Sequence, residues 1–208
     1  GDGAVIIDGE KVFDPNHYAD DYLGSNVTAY VKVNEKSSKS TLIYVEEQSS
    51  NTITEIWGDS ISDATNKQIK YYDGNKTKTL KFSSITDMVY NGKAVAFDES
   101  KFKDSSTVNI NLVDRDDDGI IDFVNITEYK DCIVEKVVTE DQAVYLKYGE
   151  TTLSLKDSYV RILLDGQTAT LDDLNSGMVV SVAVSEGTNT DKWVKLMACS
   201  ETVSGTVD

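Results

Sequence analysis

The chain has 208 residues and a formal net charge of −16 at pH 7; with 39% hydrophobic and 27% charged residues it is globular rather than disordered in composition. That acidity excludes a nucleic-acid binder, which needs clustered Lys and Arg on the phosphate backbone, and a protein that docks on anionic lipid. No apolar run approaches the ~20 residues of a membrane helix, and no charged-then-apolar signal segment starts the chain.

In chain order the punctuation is that of a β-protein. Ile6-Ile7-Asp8-Gly9 reads as a strand ending in a tight turn, because Asp-Gly tolerates positive φ at both positions. Phe13-Asp14-Pro15-Asn16-His17-Tyr18 follows, with Asp14 as helix N-cap, Pro15 at the first helical position, and Phe13 and Tyr18 as the ends of a hydrophobic staple. The alternating runs Val27–Val33, Thr41–Val45 and Thr52–Ile56 predict strands with one side on a core. Gln68–Tyr72 predicts another, ending at an Asp73-Gly74 turn.

The pattern then recurs. Val89-Tyr90-Asn91-Gly92 is followed by Phe97-Asp98 and by strands over Val108–Val113, Ile121–Thr127 and Ile133–Val138. Leu163-Leu164-Asp165-Gly166 is followed by Leu171-Asp172-Asp173-Leu174 and by strands over Met178–Val184, Trp193–Ala198 and Thr202–Val207. A second shared block links Ile69–Phe82 with Tyr145–Leu155. The one-turn helix expected after Phe13 and Phe97 is shortened to a turn after Leu171.

This repeat predicts an all-β chain of tandem small antiparallel β-barrel or sandwich modules, OB- or SH3-like, with one-turn helices. The boundaries are 1–50 for a partial first module, 51–130 for the second and 131–208 for the third. The first has only the second half of a set, so the chain reads as a piece of a longer protein or as completed by a strand from elsewhere, with Thr202–Val207 a candidate. Cys132 and Cys199 fall at non-equivalent positions of the repeat, and no bridge between them is expected.

One stretch has side chains at a spacing with chemical use. Asp114-x-Asp116-x-Asp118-Gly119-x-x-Asp122 matches the first nine positions of an EF-hand-type calcium loop, with the Ile120 carbonyl as the seventh-position oxygen. Oxygen-only ligands select Ca²⁺ over transition metals. The twelfth position, where a bidentate Glu normally stands, is Asn125. Glu128 lies six strand residues beyond Asp122, roughly 20 Å away, and is no substitute. The competing reading is a polar hairpin with Asp and Gly as turn formers, since the loops Asn34–Ser40 and Ser185–Asp191 lack the carboxylate array. Arg115 and Asp117 are expected to point away from the ion.

Other candidates are weaker. His17 sits in a capping turn with no nucleophile motif beside it, and a structural role is expected. Trp57, Trp193, Tyr71, Tyr72, Tyr145 and Tyr148 could form a sugar-stacking platform, although such spacing is commonly that of core or edge residues.

The tandem β-modules, the Asp-Gly or Asn-Gly turn followed by Phe-Asp, and the hairpin Asp114-Arg-Asp-Asp-Asp-Gly-Ile-Ile-Asp-Phe-Val124 resemble the non-anchor regions of surface-layer-homology (SLH) proteins of Gram-positive, clostridia-type bacteria. The resemblance implies an extracellular, cell-surface segment that acts as spacer, lattice part or adhesive element. Its partners would be cell-wall or surface-layer components, other copies of the chain or glycans. It implies no catalysis, no nucleic acid and no membrane insertion. No SLH repeat is visible, so anchoring is assigned to no residue. The alternative is a carbohydrate-binding module of a larger secreted glycan-active enzyme.

Overall fold

The computed structural model describes residues 3–147, 152–186 and 192–201. These residues form an all-β protein in which helix is confined to short 3-10 turns. The chain divides into two compact units, Gly1–Glu128 with Glu186–Asp191, and Tyr129–Ser185 with Lys192–Asp208. The expected strand Thr202–Val207 lies outside the described residues.

The first unit holds two sheets. β1 (Ala4–Ile7), β2 (Glu10–Phe13), β3 (Val27–Asn34) and β4 (Lys39–Glu47) form the smaller one, in the order β1-β2-β4-β3. Its core is small: Val12, Ala19, Leu42 and Val45 are buried.

The larger sheet contains β5 (Thr52–Trp57), β6 (Ile61–Ala64), β7 (Gln68–Asp73), β8 (Lys76–Tyr90), β9 (Lys93–Val95), β10 (Val108–Asp114) and β11 (Ile120–Glu128). The order is β5-β10-β11-β8-β7-β6, with β9 paired to β8. β11 lies parallel to the end of β8, Phe123 facing Asp87 and Ile126 facing Tyr90, while the start of β8 pairs antiparallel with β7. β5 and β6, at the two ends of this order, are consecutive in the chain and joined only through Gly58–Ser60. The sheet is thereby curled around one core of Ile69, Val108, Ile110, Leu112, Val124 and Ile126.

The second unit repeats the scheme with β12 (Lys130–Val138), β13 (Ala143–Lys147), β14 (Thr152–Ser154), β15 (Tyr159–Leu164), β16 (Gln167–Ala169), β17 (Val179–Val184) and β18 (Trp193–Cys199). The order is β14-β13-β12-β17-β18-β15-β16. Here β12 does the work of both β5 and β6. Its first residues pair with β17 and its later ones with β13, across a bulge between Val134 and Lys136. β14 and β15 correspond to the two halves of β8, and β15 runs parallel to β18 as β8 does to β11. Val134, Val144, Val180 and Leu196 fill the core. Cys132 and Cys199 are free.

The turns show why these sequences make hairpins. Asp8-Gly9, Asn91-Gly92 and Asp165-Gly166 all have positive φ at both residues, between 44° and 81°, as a two-residue type I′ turn requires. Asp73-Gly74 departs from expectation by one residue. Asp73 pairs with Lys76, so Gly74 and Asn75 are the central pair and only Gly74 is left-handed, at φ 60°.

The capping elements also differ from expectation. No helix starts at Pro15; the 3-10 turn is Asp20–Tyr22, preceded by Ala19. Asp14 is buried, and its carboxylate instead accepts from the amides of Tyr18 (3.0 Å) and Ala19 (2.9 Å), folding the segment into irregular turns with His17 at φ 55°. Phe13 and Tyr18 are both substantially exposed, so they form no staple. Asp98 does cap Glu99–Lys101, through the Ser100 amide. The third copy has more than the expected turn: Leu171–Asp173 is a 3-10 turn with a reciprocal capping box between Thr170 and Asp173.

Candidate functional site

The acidic hairpin is held by its own first carboxylate. Asp114 ends β10 and is only 4% exposed. Its Oδ1 accepts from the amides of Asp116 (3.2 Å) and Asp118 (3.3 Å), and its Oδ2 from that of Gly119 (2.7 Å). Five residues between the strands would otherwise leave these donors unpaired. Asp117 (φ 59°) and Gly119 (φ 82°) supply the left-handed steps that bring the chain back into β11. The loop between β3 and β4 uses the same device in neutral form. There Asn34 Oδ1 accepts from Lys36 (3.0 Å) and Ser37 (3.3 Å).

Asp114, Asp116 and Asp122 each bring a carboxylate oxygen to within 4.8 Å of the others, a grouping that could hold a metal ion. Asp118 is absent from this group. Its Oδ1 accepts from the Ile120 amide at 2.8 Å, closing a local turn rather than joining the cluster. Asp122 Oδ2 also accepts from the Arg115 amide at 3.0 Å. Desolvation by the surrounding loop, followed by the charges of Asp118, Asp122 and Asp114, pushes the carboxyl of the exposed Asp116 above its ordinary pKa. A carboxylate has about four lone-pair sites, so Asp114 and Asp122 keep acceptor capacity beside their backbone bonds.

Arg115 and Asp117 point away from the cluster. Asp117 accepts from Thr52 Oγ1 at 3.0 Å. Arg115 Nε donates to the Gly24 carbonyl at 2.7 Å, its guanidinium lies 5.8 Å from the Phe123 ring centre, and Nη2 is 3.8 Å from Asp87. Asn26 Nδ2 donates to the Arg115 carbonyl at 3.0 Å, while the Asn51 side-chain amide brackets the Asn26 backbone, its Oδ1 accepting from the Asn26 N–H (2.9 Å) and its Nδ2 donating to the Asn26 carbonyl (2.7 Å). The back of the loop thus fastens the segment between β2 and β3. A groove of about 620 Å³ opens beside it, lined among others by Tyr22, Ser25, Gln48, Arg115 and Phe123.

The chain matches no protein-family model, no curated protein and no solved structure. The site is therefore argued from its geometry.

Sequence reasoning missed Gly24, Asn26, Asn51 and Asp87 as parts of this hairpin. Gly24 and Arg115 are 91 residues apart, and nothing in local spacing marks such a pair.

Glu128 stands at the opposite end of the hairpin, facing Val108. Its carboxylate takes the Lys103 ammonium at 2.7 and 2.6 Å and the Tyr90 hydroxyl. Burial works to raise its pKa, but the bonds from Lys103 and Tyr90 outweigh it, so the carboxyl titrates below the ordinary value of 4.5. A lowered carboxyl contributes stability that is complete above the unfolded pKa and lost as pH falls through the folded one. Thermal melts from neutral pH to below 4.5 should therefore show a smaller acid-side loss in Glu128→Gln than in the parent. Parallel curves would remove the pair from the stability account.

The remaining candidates lie elsewhere in the fold. His17 Nδ1 lies 3.2 Å from Asp20. Trp57 and Trp193 are half-buried and Tyr71 is in the core. Lys195 covers Trp193 at 5.0 Å and Lys136 covers Tyr145 at 4.2 Å. Tyr72 is exposed, and Tyr148 lies outside the described residues. Among the described residues no helix is long and apolar enough to cross a membrane.

Proposed function

We propose that this chain is a non-catalytic structural and interaction segment of a bacterial cell-surface protein of the surface-layer type, extracellular in location. The observation that carries this reading is repetition. The sheet of β5–β11 and the sheet of β12–β18 build one pairing scheme twice, each around its own core. Repeated modules supply length and spacing, and variation is placed in their loops. In finer detail we read each module as OB- or SH3-like; a first strand shared between two hairpins and a last strand parallel to the third support that reading. Its partners would be cell-wall or surface-layer components, other copies of the chain, or glycans. An antibody against the chain should label the outside of intact source cells. Signal confined to the cytosolic fraction would end this reading.

The acidic hairpin is read as a weak Ca²⁺ site that stiffens one module, with an affinity of the order of 10⁻⁴ to 10⁻³ M. The convergence of Asp114, Asp116 and Asp122 supports it, because a cation removes the repulsion among their carboxylates. The Ile120 carbonyl would add a fourth oxygen. Millimolar CaCl₂ should raise the melting temperature by mass action. Asp116→Ala should fold normally and lose that gain, since its side chain is exposed and the β3–β4 hairpin forms without a comparable array of carboxylates. A parent protein that shows neither binding heat nor a melting shift has a turn there and no ion site.

A carbohydrate-binding module is the second reading. Tyr30 and Tyr44 favour it: both are exposed, with ring centres 5.9 Å apart, although tilted by 41°. Titration with cell-wall polysaccharide should give heat that Tyr30→Ala abolishes if that reading is correct.

A further inference from the structure

The two complete sheets and the first sheet differ at one edge. β10 carries β5 on its outer side, from Asn109 facing Trp57 to Asp114 facing Thr52. β17 carries β12 in the same place, from Val182 facing Lys130 to Val179 facing Ile133. The equivalent strand β3 ends its sheet, and among the described residues no strand pairs with its outer edge.

The side chains record the same gap. Val108, Ile110 and Leu112 of β10 are each 0% exposed. Along β3 the residues of the same phase are Val27, Ala29, Val31 and Val33. Val27 and Ala29 pack on the small core, but Val31 and Val33 are 42% and 57% exposed. β3 keeps its alternation, because the extra residue of the bulge opposite Tyr30 and Val31 is Ile43 of β4. Natural edge strands are usually blunted by proline, clustered charge or their own bulges. β3 has no proline, and Lys32 is its one charged residue.

The sequence contains a stretch whose pattern fits that place. Each first strand begins shortly after the last strand of the preceding set: β5 after Glu47 and β12 after Glu128. Thr202-Val-Ser-Gly-Thr-Val207 occupies that position after β18, and its alternation resembles Thr52-Ile-Thr-Glu-Ile-Trp57. By its place in the repeat it matches a first strand, the element that β3 does not have beside it among the described residues.

We propose that the outer edge of β3 accepts the Thr202–Val207 stretch of a second copy as an antiparallel strand, joining chains head to tail. The added strand would take on β3 the place that β5 has on β10, pairing the free backbone groups and covering Val31. Strand addition of this kind draws affinity from main-chain hydrogen bonds and specificity from alternate side chains. Because donor and acceptor are different surfaces, the contact is heterologous and propagates into filaments or closes into rings. This deepens the structural role proposed above by naming the partner as the chain itself.

Analytical ultracentrifugation of the full chain should show species that grow with concentration. A chain ending at Glu201 should be monomeric, and so should Val31→Lys, whose site is exposed enough to take lysine with an unchanged far-ultraviolet spectrum. A synthetic peptide spanning Ser200–Asp208 should bind the shortened chain one to one, at least about tenfold more weakly when Val31 is lysine. Assembly that survives both the deletion and Val31→Lys overturns the proposal. So does a peptide that fails to bind, or a full chain that stays monomeric while the shortened chain binds peptide, since the strand then closes within its own molecule. A monomeric chain found on intact cells refutes this pairing and leaves the surface role standing.

Discussion

Gly58→Ala is expected to destabilise the first unit by about 2–3 kcal/mol, the cost of forcing atoms into a filled site. Gly58 is buried where the chain leaves β5 for β6, the step from the β10 end of the sheet to its β7 end. An added Cβ would run into the Lys103 carbonyl and stand 2.7 Å from the Ser105 carbonyl oxygen. Both obstacles are backbone, so no rotamer change relieves them. Gly74→Ala is the control. Its Cβ would meet nothing within 4 Å, and its left-handed φ of 60° alone should cost about 1–2 kcal/mol. Urea unfolding of the two variants measures the difference. Equal loss would mean that the Gly58 bend relaxes freely and does not constrain the sheet.

Asp114→Ala should cost a further class of energy, about 2–4 kcal/mol, because it strips the acceptor from three loop amides at once. Asp114→Asn should cost roughly half as much. Its amide oxygen can still serve the two donors now on Oδ1, as Asn34 serves two in the β3–β4 loop, while the bond to Gly119 is lost. Both variants remove the charge that a cation needs. Measured with and without calcium, Asp114→Asn therefore separates the two duties of this residue: most of the fold kept, the calcium-dependent gain gone. An Asp114→Ala protein as stable as the parent would show that the loop is not held by this carboxylate.

This double duty bears on how the hairpin is read. Four carboxylates at alternate positions suggest four equivalent ligands, yet the loop uses them unequally. Asp114 is consumed first as a cap, Asp118 closes a turn onto Ile120, and Asp116 keeps its carboxylate exposed beside those of Asp114 and Asp122.

Local chemistry explains which parts of this protein could be read ahead of its structure. The strands, the type I′ turns at Asp8-Gly9, Asn91-Gly92 and Asp165-Gly166, and the repeat depend on side-chain alternation and on φ preferences, which act between near neighbours. The cap at Asp98 is of the same kind. The cap expected at Asp14 was not realised as a helix, because its carboxylate is buried and reaches on to Tyr18 and Ala19.

What sequence could not show is contact between residues far apart. The parallel pairing of β8 with β11, the bend from β5 into β6 at Gly58 against Lys103 and Ser105, and the fastening of Arg115 to Gly24 join positions with no shared spacing. Hydrophobic burial selects these partners only when whole strands meet, and it does so by shape and register rather than by any short motif. The same holds for Asp118: its spacing put it among the ligands, and the path of the folded loop turned it onto the Ile120 amide.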